Sequence, residues 1–381
     1  TAGVMEIKTG KILAMSTYPS FNPNERNIST FNNYFLEGTI ECGSVFKPFI
    51  YADSIEEGKY DHNAYYNSGS YNVYYGNKLV ATIKDHNGGQ GWGTITYDQG
   101  LYHSSNVAIC NLLDQGYVTK DVLTDKLNDL GFFQGDTVDG LTCSSSINAY
   151  TRKNAGRLEY LTTGFGQGST VTPYQLLKAY SVFGNDGKTV QPHIVDKVVN
   201  PETNKVVYQA TPKYSKQIFS TNTISQVKDL MLGVIEDEQG TGKTYRLDND
   251  VRMIGKTGTG QVVENGGYST TLYMHSFVGI APYDDPQVVM FLTFKSGDSY
   301  AQYMPNIVKQ TMNEALQVVN RYNAKNTTAV DQSYTLDSYT NQSVNYVKSK
   351  LESKSLSVQI IGNGSSVIEQ YPLAKSKVTS G

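Results

Sequence analysis

The chain has 381 residues, of which 39% are hydrophobic and 18% charged, with a formal net charge of −3. That length has room for two or more domains, and the mild acidity leaves no basic stripe for a nucleic-acid partner. Three cysteines cannot all pair within one chain, and no apolar run reaches the roughly 18 residues that would read as a membrane span.

In chain order, the opening TAGVMEIKTGKILAM lacks an initiator Met and already alternates as a strand does. It is the start expected of a piece cut from a longer protein, with an anchoring segment ahead of it. Residues 4–15 predict a hairpin with Thr9-Gly10 at its turn. In ECGSVFKPF, residues 41–49, Gly43 before Ser44 and Pro48 after Lys47 suit a strained entry into a short helix. LYHSSNVAICNLL predicts a helix opened by Ser104-Ser105-Asn106, with Cys110 on its buried face and Cys143 in a later Ser-rich loop. VTPYQLLKAYSVFGNDG supplies Thr172 as N-cap, Pro173 at the first helical position and Gly184 as the stop. ISQVKDLMLGVI lines Ile224, Val227, Met231, Val234 and Ile235 along one helical stripe.

From residue 251 the period shifts toward two. VRMIGKTG, YMHSFVGIAPY and QVVMFLTF predict three strands, and PNIVKQTMNEALQVV a final helix. Helices before and after an antiparallel sheet predict a layered α+β (α/β) domain over 1–322. Residues 323–332, NAKNTTAVDQ, read as a polar linker. Beyond it, 333–381 predicts a helix, SVNYVKSKLES, and strands SVQIIG and SVIEQY around Asn363-Gly364. So small a unit has almost no core and is expected to be marginal alone or to lean on a neighbour.

The chemistry starts at Ser44. The i to i+3 spacing puts its hydroxyl and the Lys47 amine on one face of a helical turn. A serine needs a base within reach, and lysine serves only when its pKa is depressed. Ser-x-x-Lys alone is common by chance. Ser104-Ser105-Asn106 and Lys256-Thr257-Gly258 change that, because the three together, in this order, are the signature of penicillin-binding proteins and serine β-lactamases. Lys8-Thr9-Gly10 is a decoy, at a hairpin turn and ahead of the nucleophile. Cys42 as nucleophile is the weaker alternative, with no base paired to it.

On GSVFKPF, SSNVAI, GFGQGSTVTPYQLLKAYS, GKTGTGQ and SFVGIAPYDDP, residues 1–322 resemble the transpeptidase domain of class B penicillin-binding proteins, and 333–381 resemble a PASTA module. The resemblance implies a D,D-transpeptidase of the sporulation or septal wall-synthesis type. Ser44 would attack the penultimate D-Ala carbonyl of a peptidoglycan stem peptide, and Lys47 would take its proton. Ser104 and Asn106 would relay protons and hold the substrate amide, while Lys256 and Thr257 would bind the terminal carboxylate, with Gly258 and Thr259 as further substrate-binding residues. The N–H groups of Ser44 and Thr259 would form the oxyanion hole, where one donor is typically worth about 3–4 kcal/mol of barrier. Implied partners are stem peptides, β-lactam antibiotics and a membrane-embedded glycan polymerase, on the extracytoplasmic face of the membrane. The alternatives are a D,D-carboxypeptidase, or a catalytically silent wall-binding or β-lactam-sensing scaffold. A β-lactamase is disfavoured by the absence of a Glu-x-x-x-Asn segment between 120 and 220.

Relatives commonly carry other residues where this chain has Cys42, His86 and His103. With Asp85 as a fourth ligand, these side chains suit a tetrahedral zinc site buttressing the Ser104 segment, although the serine chemistry itself requires no cofactor. The other reading is a free thiol and two polar loop histidines. His62, His193 and His275 have no partners by spacing and are each expected to be structural or solvent-facing, with His275, ahead of a strand core, also a candidate to line the cleft.

Overall fold

The structure, a computed structural model, describes all residues except 19, 26, 249, 265–266, 328–332, 353–355 and 380–381; at 263–264, 298–300, 321–327, 333 and 379 it describes the backbone alone. The chain divides into two compact units, Thr1–Ala315 and Leu316–Gly381.

In the first unit the predicted hairpin forms from strands Ala2–Glu6 and Ile12–Ser16, and the late strands are Ile254–Glu264, Gly267–Ala281 and Val288–Ser296. They join in one antiparallel sheet. In spatial order its strands begin at residues 254, 267, 288, 2 and 12, so the two ends of the unit meet at its centre. The central strands are buried because their apolar residues face helices: Val4, Met5, Phe277, Val278, Val289 and Phe291 are all solvent-excluded. The Ile254–Glu264 strand is an edge, paired on one side only.

Eight helices of this region follow the apolar periodicity. They are α1 (Lys47–Glu56), α2 (Tyr97–Tyr102), α3 (Asn106–Asp114), α4 (Lys120–Asp129), α5 (Arg157–Gly164), α6 (Pro173–Tyr180), α7 (Thr221–Glu236) and α8 (Met304–Thr327). Thr172 caps α6 in a reciprocal box with Gln175, and a 3-10 turn carries the chain on to Gly184, the predicted stop. The α7 stripe is buried as expected, with Leu230 added to it. Helix α7 lies against the Ile254–Glu264 strand, and α6 against Ala2–Glu6 and Val288–Ser296. Cys143 is not in a loop; it closes a short strand, Leu141–Cys143, paired with Asp136–Val138, and its side chain is buried.

Helix α8 runs to Thr327, so residues 323–327 of the expected linker are helical; 328–332 lie outside the described residues. Each added residue costs little once a helix is nucleated, so a polar stretch can extend it. The second unit holds α9 (Val344–Glu352) and one strand pair, Ser333–Thr335 with Lys377–Thr379. The predicted hairpin around Asn363-Gly364 is not formed: its segments carry one bridge, Ser343 to Ser366, and no strand among the described residues. Beyond α8, among the described residues, the buried apolar cluster is Leu336, Tyr339, Val347 and Leu356, while Ile361 and Ile368 are about nine-tenths exposed. Alternation without a core to face does not hold a hairpin. Among the described residues no helix is long and apolar enough to cross a membrane.

Candidate active site

Residues 43–47 enter the site through a 3-10 turn, Gly43–Phe46, that runs straight into α1. Phe46 and Phe49 anchor this entry among Phe132, Tyr180 and Phe183, with ring centroids 5.1–5.8 Å apart. The Tyr180 hydroxyl donates to Val45 O at 2.5 Å. The turn lies backbone-on-backbone against the edge strand. Gly43 has φ +62°, and a Cβ there would stand 2.7 Å from Thr259 O. Across the contact, a Cβ on Gly258 would stand 2.8 Å from Cys42 O. Side chains at these positions would push Ser44 away from the strand that carries Lys256 and Thr257.

Between α2 and α3 the chain turns sharply at Ser104, whose φ of +58° is rare for a residue with a side chain. Ser105 then caps α3, its Oγ accepting from Ala108 N at 3.0 Å. Asp85 holds this corner. One carboxylate oxygen accepts from Ser105 Oγ, Asn106 N and Val107 N at 2.7–3.1 Å, and the other from Gly69 N at 2.8 Å. A buried carboxylate at a helix N-terminus is favoured by its free N–H groups and dipole.

The strained corner aims Ser104 at two lysines, both fully buried. Lys256 Nζ donates to Ser104 Oγ at 2.7 Å and to Thr257 O at 2.9 Å. Lys47 Nζ lies 2.5 Å from Ser104 O, 2.8 Å from Asn106 Oδ1 and 3.4 Å from Ser104 Oγ. Desolvation pulls the Lys47 pKa down to about 7, against the opposing pull of Asp85. Lys256 is also pushed well down, by burial first and then by the neighbouring Lys47. A neutral lysine amine has two N–H groups and one lone pair. For Lys47 the two short contacts to Ser104 O and Asn106 Oδ1 occupy the N–H groups, which leaves the lone pair to act as a base.

Ser44, Ser104, Asn106, Thr257, Gly258 and Thr259 line one cleft of about 610 Å³. Lys47 and Lys256 reach its floor through their bonds to Ser104. All eight residues named for serine chemistry thus come together. The same cleft takes in His275, as anticipated, and also Gln167, Thr241, Thr244, Ala301, Gln302 and Met304–Asn306. The latter groups lie on turns and segments distant in sequence, and no spacing in the chain ties them to the triplets.

The expected zinc ligands do not form a ligand set. Among the described residues no group of three or more His, Cys, Asp or Glu could hold a metal. Both Asp85 oxygens are committed to the corner before α3. His103 stacks on Trp92, with centroids 4.4 Å apart and planes 7° from parallel. His86 places Nε2 3.0 Å from His103 O, and Cys42 is buried with its thiol pushed far up by desolvation. A thiol so protonated is a poor nucleophile. His62 is not merely solvent-facing: it contacts Asp98 and Gln226 at 2.9–3.0 Å.

A family model, the penicillin binding protein transpeptidase domain, matches residues 1–317. The whole chain aligns at 30% identity with stage V sporulation protein D of Bacillus subtilis, covering 59% of that protein. It is 27% identical to a peptidoglycan D,D-transpeptidase FtsI homolog of Mesostigma viride, over 76% of this chain and 51% of that one. The chain therefore spans between half and three-fifths of these relatives. Among solved structures, penicillin binding protein 2X of Streptococcus thermophilus superposes with a TM-score of 0.73 at 22% identity, over 100% of this chain and 57% of that one. The transpeptidase domain of Burkholderia pseudomallei penicillin-binding protein 3 gives 0.68 at 23% identity, over 84% and 88%. At those identities the superpositions speak to the fold alone.

Proposed function

Since the chain belongs to the penicillin-binding-protein transpeptidase family, we propose that it is a serine D,D-transpeptidase that cross-links peptidoglycan stem peptides and is acylated by β-lactams. The observation that carries this reading is the convergence of two buried, pKa-lowered lysines on Ser104 in the cleft that Ser44 lines. Ser44 Oγ attacks the carbonyl between the two terminal D-Ala residues as its proton passes to the Lys47 lone pair. The tetrahedral oxyanion is held by the N–H groups of Ser44 and Thr259. As it collapses, the C–N bond breaks and the terminal D-Ala nitrogen takes a proton by way of the Ser104 hydroxyl. Lys256, Thr257 and Gly258 hold the departing residue's carboxylate, and Asn106 holds the donor amide. The amine of a second stem peptide then attacks the ester, releasing Ser44 and forming the cross-link.

The reaction belongs outside the cytoplasm, where stem peptides are assembled into wall, with a membrane-embedded polymerase supplying the glycan. The stage V sporulation relative favours a sporulation or septal role, and residues 333–381 serve as a PASTA-like, wall-associated module. The test is incubation with a donor stem pentapeptide and an acceptor peptide. A cross-linked dimer with equimolar free D-Ala is expected. Tetrapeptide and D-Ala without dimer would assign a carboxypeptidase instead; no turnover would point to the silent scaffold, β-lactam-sensing if an adduct forms and wall-binding if none does.

A further inference from the structure

The turn after α7 brings one residue into the cleft that no catalytic triplet contains. Gly240-Thr241-Gly242 folds back on the end of that helix, with Gly240 N donating to Asp237 O and Gly242 N to Val234 O at 2.9 Å. The fit is tight: a Cβ on Gly240 would stand 2.4 Å from Val234 O, and one on Gly242 2.6 Å from the Ile235 side chain. Thr241 N in turn donates to Tyr102 O at 3.0 Å, which ties the turn to the helix just before Ser104. So fixed, Thr241 lines the cleft beside Thr257, and the two hydroxyls are hydrogen-bonded at 2.9 Å, Thr257 Oγ1 donating.

We propose that Thr241 is a positioning residue for the substrate's terminal carboxylate, acting through the Thr257 hydroxyl. The proposal rests on the transpeptidase reading. Without a carboxylate to accept from it, the Thr257 hydroxyl donates to Thr241. A carboxylate arriving at Thr257 is a stronger acceptor than a hydroxyl and draws the Thr257 hydrogen bond to itself. The Thr241 hydroxyl then donates to Thr257 Oγ1, completing a chain of O–H···O–H···O⁻ in which each bond polarises the next. Without the Thr241 hydroxyl, Thr257 keeps its proton but loses both its orientation and the donor behind it. The effect reaches only ligands that bring a negative charge to this end of the cleft.

The test compares the acylation rate constants of benzylpenicillin, which carries the carboxylate, and its methyl ester, which does not. Thr241→Val, close to isosteric, is expected to slow benzylpenicillin about tenfold, the order of one lost hydrogen bond to a charged network, and to leave the ester unchanged. Thr241→Ser, which keeps the hydroxyl, is expected to react as the parent does. Equal slowing of both compounds would assign Thr241 a purely structural role, and slowing of neither would assign it none; either result overturns the proposal, as does a Ser variant as slow as Val. If the parent chain itself takes no penicillin, the transpeptidase reading fails, and this inference with it.

Discussion

The chain contains the triplet Lys-Thr-Gly twice, and the two copies differ in everything except sequence. Lys8-Thr9-Gly10 makes the turn of the N-terminal hairpin: Lys8 Nζ donates to Gly184 O at 2.8 Å, Thr9 Oγ1 to Glu6 Oε2 at 2.5 Å, and Gly10 supplies a positive φ of 80°. Lys256-Thr257-Gly258 lies on an edge strand, with its lysine fully buried against Ser104 and its glycine admitting the turn that carries Ser44. The first lysine satisfies a carbonyl at the surface. The second is stripped of water beside another lysine, where its proton is costly to hold. On the proposed reading, chemistry comes from that desolvated convergence and not from the triplet itself.

That contrast can be broken by substitution, and the largest effect belongs to the base. Lys47→Ala is expected to slow β-lactam acylation about a thousandfold, the usual reach of a lost general base, read from stopped-flow rate constants. Lys256→Ala should cost about a hundredfold, in line with removal of one positioned electrostatic group. Lys8→Ala should leave acylation within about twofold, since a partly exposed substitution rarely moves more than ~0.5 kcal/mol; a defect comparable to that of Lys256→Ala would mean that the two triplets are not so different.

The pH dependence sharpens the same point. On the proposed mechanism the free base is the reactive form of Lys47, and burial lowers its pKa to about 7. Acylation should therefore rise with pH, fall about tenfold per unit below neutrality, and level off above it. A profile that climbs only near the ordinary lysine value would show that Lys47 is not desolvated in solution. Gly43→Ala should destabilise the first unit by at least about 1–2 kcal/mol in denaturant titrations, the cost of a side chain in the left-handed region, and slow acylation as the turn lifts from Thr259.

The smallest effect on activity concerns a buried group that the site does not use. Asp53, two turns along α1 from Lys47, is solvent-excluded, and among the described residues neither carboxylate oxygen has a hydrogen-bond partner. Burial raises its pKa well above 3.8, so the folded state binds a proton that the unfolded state releases. Its contribution to stability is present at acid pH and declines as pH rises above that value. Asp53→Asn should flatten this decline and add about 1–3 kcal/mol near neutrality, with acylation unchanged.

Much of this was legible in the chain. The strand and helix periods predicted the sheet, α6 and α7, because those elements bury a face against a large core. The three triplets named seven of the eight residues that the fold brings together around the cleft, and the family resemblance added Thr259. Asp85 and His103 were misread as ligands, because a carboxylate that caps a helix and an imidazole that stacks on Trp92 look the same in sequence as metal donors. The hairpin around Asn363-Gly364 failed for want of a core to alternate against. Thr241 left no signal, because only the packing of α7 brings it to Thr257.

The central claim is that one hydroxyl, at Ser44, becomes covalently reactive beside a neutral Lys47. Mass spectrometry of the intact chain after benzylpenicillin treatment, with the modified peptide sequenced, tests it most directly. The account predicts a single penicilloyl adduct on Ser44 that disappears in Ser44→Ala and persists in Cys42→Ser. An adduct on Cys42, or one that survives Ser44→Ala, would contradict it.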